Sequence, residues 1–150
     1  METIVQEALM KGVEMHKAGQ LDLAKQLYSS VTAVEPRHAD ANHNTGVIEV
    51  VAGNISEAIP LLRIALEENP DNGQYWASYI DALVRIGAIE DAQKMLVQAK
   101  QRGAQGEAFD QLEQQINQNT DQKSAQVQET SPTLKDPPQK TVDHLTNLYN

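Results

Sequence analysis

The sequence predicts an all-α protein, an α-solenoid of three helix–turn–helix units followed by a capping helix. The first observation is a set of small residues and prolines that recur every 34 residues: Gly19, Gly53 and Gly87; Ala24, Ala58 and Ala92; Pro36 and Pro70. The second is that apolar residues between these positions follow helical spacing, and no stretch shows a credible strand pattern. A period of this length is typical of helical arrays, whose units bury their apolar faces against their neighbours.

The three units are residues 5–38, 39–72 and 73–106. In the first unit, a helix with an apolar stripe precedes Gly19, and a second helix ends before Pro36 because proline disfavours a helical residue before it. The second unit repeats this order around Gly53. The third unit contains Trp76, the only tryptophan of the chain, which we expect to be wedged between its own unit and the preceding one.

The residues after the third unit divide into three parts. Residues 106–118 have one narrow apolar stripe, Phe109, Leu112 and Ile116, and otherwise polar residues, so a capping helix is predicted to close an array over residues 3–119. Residues 120–137 contain few large apolar residues and are predicted to form a flexible linker. Residues 138–150 return to helical spacing. They are either the start of a further repeat in a longer protein or a C-terminal helix.

This arrangement resembles the tetratricopeptide repeat, a helix–turn–helix of 34 residues with small, aromatic and proline positions. The small position of the first helix is Gly12 or Gly46, but Ile80 in the third unit. The large position of the second helix is Tyr28, Leu62 or Leu96. The sequence departs from the pattern at Ala104, which replaces the closing proline. The resemblance implies a scaffold that binds a protein or peptide in a concave groove lined by the first helix of each unit.

The family pattern also implies which residues line that groove. They are apolar and polar residues of the first helices: Leu9, Val13, His16, His43, Asn44, Val47, Val51, Gln74, Ser78, Asp81 and Arg85. The alternative is that several of them belong to the core. Some family members clamp a terminal carboxylate with Lys and Asn at the positions of Leu9 and Val13. Because this chain lacks both residues, we do not predict binding of a chaperone tail.

A second resemblance concerns residues 38–83, which are similar to the N-terminal repeats of multidomain bacterial proteins. In those proteins the repeats precede a glycosyltransferase, sulfotransferase or methyltransferase domain. This implies a bacterial source and an alternative function, a substrate-presenting arm of an enzyme whose catalytic domain lies beyond this chain. A third hypothesis is a self-assembling scaffold, because an open array can stack end to end.

Composition narrows the classes of function. The net charge of −9 argues against nucleic acid as a partner, since phosphate contacts need a basic surface. The chain has no cysteine, which excludes disulfides and thiolate metal sites. We find no secretory signal and no run of apolar residues long enough for a transmembrane helix, so a cytoplasmic protein without membrane contact is expected.

Residues for catalysis are scarce. The four histidines lack metal-site spacing, although His38, Asp40 and His43 cluster around one helix start. No phosphate-binding loop or nucleophile elbow is present. The sequence therefore predicts a protein that is not an enzyme, with no cofactor and no metal.

Overall fold

The computed structural model of the chain describes the backbone of residues 2–135 and the side chains of residues 3–122. Seven helices make up the described part: α1 (Glu2–Lys17), α2 (Leu21–Val34), α3 (Ala39–Val51), α4 (Ile55–Glu68), α5 (Gly73–Arg85), α6 (Ile89–Gln101) and α7 (Glu107–Lys135). They contain no strand between them, and the predicted all-α solenoid is confirmed. None of these helices is long and apolar enough to cross a lipid bilayer.

The turn inside each unit is built around a glycine. Gly19, Gly53 and Gly87 have φ angles of 80°, 88° and 80°, a conformation that other residues rarely adopt. In each case the next residue donates its backbone N–H to a carbonyl five residues earlier; Gln20 to Met15 at 2.9 Å is one example. This is the Schellman arrangement, which ends one helix and sets the direction of the next.

The two helices of the first and second units approach closely at a glycine. A Cβ atom added to Gly12 would lie 2.6 Å from Cε1 of Tyr28, and one added to Gly46 would lie 2.7 Å from Cδ2 of Leu62. Tyr28 and Leu62 are fully buried, so neither can easily move aside. The small positions of the sequence pattern are therefore explained by the space that a large residue of the partner helix fills.

Successive units are joined by side chains from the first helix of the later unit. Trp76 donates its indole N–H to the Pro70 carbonyl at 2.6 Å, and Asn42 donates to the Pro36 carbonyl at 3.0 Å. The two bonds are related by the repeat. Asn42 thus replaces the hydrogen bond of the tryptophan, but not its apolar surface.

Exposed ion pairs also cross between units. Arg37 pairs with Glu67 and Glu68, and at the equivalent place one unit later Asp71 pairs with Arg102 at 3.2 Å, so the charges are reversed. Exposed pairs of this kind contribute only about 0–1 kcal/mol each. The stability of the array therefore comes mainly from its core.

Helix α7 begins at Glu107, 34 residues after Gly73, and so takes the place of the first helix of a fourth unit. Its apolar stripe, Phe109, Leu112 and Ile116, is buried in the same core cluster as Trp76 and Leu96. The array therefore ends in a helix that packs in register with the units before it.

Helix α7 continues to Lys135, beyond the predicted end of the capping helix at residue 118. The prediction of a flexible linker over 120–137 is thus wrong for residues 120–135. A turn in register would require a glycine at position 121, where the chain has Asp121, and the following Gln, Ala, Glu and Lys residues favour a helix. The helix expected over 138–150 lies outside the described residues.

Candidate peptide-binding groove

The first helices of the three units carry all eleven residues that we predicted to line a groove. Leu9, Val13 and His16 are half-buried on α1. On α3, His43 is buried with an exposed fraction of 3%, whereas Val51 is 69% exposed. The other six are half-buried or exposed: Asn44, Val47, Gln74, Ser78, Asp81 and Arg85.

His43 connects the second unit to the third. Its Nε2 lies 2.8 Å from Oγ of Ser78, and its Nδ1 lies 3.2 Å from Oδ1 of Asn44. Because the Asn44 oxygen can only accept, Nδ1 carries the proton in neutral His43, and Nε2 accepts from the Ser78 hydroxyl. Three predicted groove residues are thereby held in one hydrogen-bonded group across α3 and α5.

Tyr28, which the sequence analysis assigned only to the core, extends this polar group toward the first unit. Its hydroxyl lies 3.3 Å from Nδ1 of His16. Burial raises the pKa of the Tyr28 hydroxyl, and the Asn44 side chain beside it partly offsets this effect. Side chains of the first and second units therefore meet at one buried hydroxyl, which spacing along the chain could not reveal.

Tyr75 supports His43 from below. The two rings lie 4.7 Å apart between centroids and are tilted by 34°. The Tyr75 hydroxyl donates to Oδ1 of Asp40, and its pKa is raised by burial and then by this carboxylate. The sequence analysis took no account of Tyr75 as a support of the groove. The repeat does, however, place it one unit after Ala41, which is also buried.

The titration of His43 gives a testable pH dependence. Burial lowers the pKa of His43, His16 lowers it further, and Asn44 and Asp40 partly offset the shift. Below about pH 6.5 an unfolded chain protonates this histidine more readily than the folded one, so stability is complete above that pH and falls as the pH is lowered. In urea denaturation we expect the native chain to lose more stability between pH 7.5 and 5.5 than His43→Gln. Equal losses would contradict the assignment.

Two open clefts lie between the helices of this face. The first, about 410 Å³, lies between α1 and the start of α3 and is lined by Val5, Gln6, Leu9, Glu35, His38 and Asp40. The second, about 260 Å³, lies between α5 and α7 and is lined by Ala77, Ser78, Asp81, Ala108, Gln111, Leu112 and Gln115. The groove-side residues of α7 were missed because this helix was taken only as a cap. The 34-residue period could have found them, since Gln111 and Leu112 correspond to Ala77 and Ser78.

The valines of this face are shared between groove and core. Val47, Val50 and Val84 are half-buried and pack against the core, while Val51 projects into solvent. Beside them, Arg85 pairs with Asp81 at 2.8 Å between Nε and Oδ2. The face therefore combines apolar surface with hydrogen-bonding groups and has little uncompensated charge.

The residues around the start of α3 are committed to structural bonds. Nδ1 of His38 accepts from the backbone N–H of Ala41 at 3.2 Å and caps the helix. Asp40 accepts from Tyr75, and His43 is bound to Ser78 and Asn44. Across the part of the chain with described side chains, no three His, Asp or Glu residues come together as a metal site would require.

Stacked helix pairs with a 34-residue period and a face formed by their first helices define a repeat protein of the α-solenoid class. A sequence profile of the tetratricopeptide repeat matches residues 15–77 and 49–116. The chain belongs to the tetratricopeptide repeat family. A comparison with curated protein sequences finds no match.

Solved structures of this fold include two peptide complexes. The TPR2B domain of yeast Sti1, in a complex named for pHsp70, is 19% identical, with a TM-score of 0.70 over 80% of this chain and 98% of that one. The first repeat domain of Spaghetti (RPAP3), bound to the HSP90 peptide SRMEEVD, is 16% identical, with a TM-score of 0.71 over 77% of this chain and 92% of that one.

A third similar structure is an enzyme, the O-GlcNAc transferase of Thermobaculum terrenum in its K341M mutant form. It is 23% identical, with a TM-score of 0.63, over 67% of this chain and 19% of the enzyme. At these identities the three structures establish the fold that they share with this chain. The resemblance to multidomain transferases is thus limited to the repeats.

Proposed function

We propose that this chain is a protein–protein interaction scaffold that binds an extended segment of a partner across α1, α3, α5 and the start of α7. The observation that carries the proposal is the face itself. It combines half-buried apolar side chains such as Leu9 and Val47 with hydrogen-bonding groups around His43, and it opens into clefts at both ends. Such a surface suits an extended polypeptide, which presents side chains and main-chain amides together.

The peptide complexes of yeast Sti1 and Spaghetti support a role in protein binding, since both contain domains of the same fold. The chemistry of this groove nevertheless favours a different ligand. Leu9 and Val13 lack charge, and the carboxylates of Glu35 and Asp40 line the first cleft. A peptide that ends in several carboxylates would lose solvation and meet like charge there. We therefore propose a partner segment that is not acidic.

This gives a prediction for a defined peptide. SRMEEVD, the peptide bound by Spaghetti, is expected not to bind this chain at concentrations up to about 1 mM, which corresponds to a binding free energy weaker than about −4 kcal/mol. Isothermal titration calorimetry measures it, with SRMQQVN as an uncharged comparison peptide. Micromolar binding of SRMEEVD would contradict the proposed character of the groove.

Selection from a displayed library of random peptides tests the function itself. Peptides enriched on the native chain are expected to lose binding to the double variant Val47→Asp/Val51→Asp. They should keep binding to Val97→Asp, which places the same charge on an exposed valine of α6. Circular dichroism checks that both variants fold. Equal binding to all three proteins, or no enrichment on the native chain, would count against the proposal.

A second candidate is the substrate-presenting arm of a longer enzyme. The observation that favours it is the shared fold of this chain and the repeats of the Thermobaculum terrenum transferase, although they represent 19% of that enzyme. The sequence that follows residue 150 in the gene separates the two candidates, because an arm must be joined to a catalytic domain. Self-association is the third, and analytical ultracentrifugation over a range of concentrations decides it.

A further inference from the structure

Helix α7 divides its residues among three faces over the part whose side chains are described. Phe109, Leu112 and Ile116 are buried in the core. The carboxylates of this stretch, Glu107, Asp110, Glu113 and Asp121, are all absent from the lining of the cleft between α5 and α7. The side chains that α7 turns toward that cleft are Ala108, Gln111, Leu112 and Gln115. A helix that served only as a solvated cap would have no reason to keep charge off one exposed face.

The α5 side of the cleft is also free of net charge. It consists of Ala77, Ser78 and Asp81, and the Asp81 carboxylate is neutralised by Arg85 at 2.8 Å. Ser78 is fixed by its bond to His43. This contrasts with the whole chain, whose net charge is −9. The cleft is thus a neutral, amide-lined site on an acidic protein.

We propose that the cleft between α5 and α7 is a subsite for an uncharged, extended stretch of the partner segment. This inference rests on the proposed function and adds a place and a chemical class to it. The amide groups of Gln111 and Gln115 offer both donors and acceptors to a peptide main chain, and Ala77, Ala108 and Leu112 give its side chain an apolar floor. An acidic side chain there is excluded, because it would be desolvated without a cation to meet it.

Paired variants on α7 test this assignment. The probe is the strongest peptide from the random library, and its dissociation constant is measured by calorimetry for the full chain. Gln111→Ala/Gln115→Ala is expected to weaken binding about tenfold, the effect of losing two modest hydrogen bonds. The matched control Gln114→Ala/Asn117→Ala removes two exposed amides of the same helix outside the cleft and is expected to change binding less than twofold.

The outcomes separate this inference from the proposed function. If the Gln111/Gln115 pair and its control bind alike while Val47→Asp/Val51→Asp abolishes binding, the subsite is refuted and the groove stands. If none of these variants alters binding, or if no peptide is enriched, both proposals fall. Selected peptides that require a charged residue against α7 would also overturn the chemical class proposed here.

Discussion

Replacing Trp76 with alanine is expected to lower the free energy of unfolding by about 3–5 kcal/mol, the usual cost of removing a large buried aromatic side chain. Trp76 is 6% exposed and lies in the cluster that joins the second unit, the third unit and α7. The substitution leaves a cavity among these elements and also leaves the Pro70 carbonyl without its indole partner. Urea denaturation followed by circular dichroism measures the loss, since the variant lacks the only tryptophan of the chain.

Two further substitutions separate the contributions at this site. Trp76→Phe keeps much of the apolar surface and removes the N–H, so its cost should be smaller than that of Trp76→Ala. Val97→Ala removes two methyl groups from a side chain that is 51% exposed, and its effect should stay within about 0.5 kcal/mol. A cost below about 1 kcal/mol for Trp76→Ala would mean that this residue does not hold the units together.

The second large effect is expected at Gly12. An alanine there gains helix propensity of about 1 kcal/mol, but its Cβ would lie 2.6 Å from Cε1 and 2.9 Å from Cδ1 of Tyr28. The ring is rigid, fully buried and bonded to His16, so it cannot yield without moving the helices apart. Overpacking of this kind costs about 1–3 kcal/mol. We expect a net loss of stability in urea denaturation despite the better helix former.

Gly73 provides the matched control for Gly12. A Cβ added to Gly73 would lie 3.9 Å from the nearest atom of Phe109, an ordinary contact distance. Gly73→Ala should therefore be neutral or slightly stabilising. The double variant Gly12→Ala/Tyr28→Ala should show the two effects to be coupled, because removing the ring removes the clash. If Gly12→Ala stabilises the chain as much as Gly73→Ala, the close approach of α1 and α2 is not real.

The sequence predicted the helix pairs well because their signals are local. Glycines at a fixed interval mark the turns, and residues such as Gly12 and Tyr28 repeat as partners within one unit. The 34-residue period also led to Trp76 as a junction residue. Each of these features depends on a few neighbouring residues and on their repetition, which one chain is enough to show.

The length of α7 was not predicted, because composition was taken as the guide after residue 119. Few apolar residues suggested a linker, yet Gln, Ala and Glu extend a helix that is already docked through Phe109 and Ile116. The bond between His43 and Ser78 was also out of reach. It depends on how closely α3 and α5 pack and on which rotamers face each other, and neither follows from positions that are 35 residues apart.

Binding in the groove is the central claim, and chemical-shift mapping by NMR tests it most directly. The isotopically labelled full chain is titrated with the strongest library peptide, and the amide shifts are followed residue by residue. The account predicts the largest shifts on α3, α5 and the start of α7, at Asn44, Ser78 and Gln111, with little change at Val34 or Val97 on the second helices. Shifts concentrated on α2, α4 and α6 would contradict it.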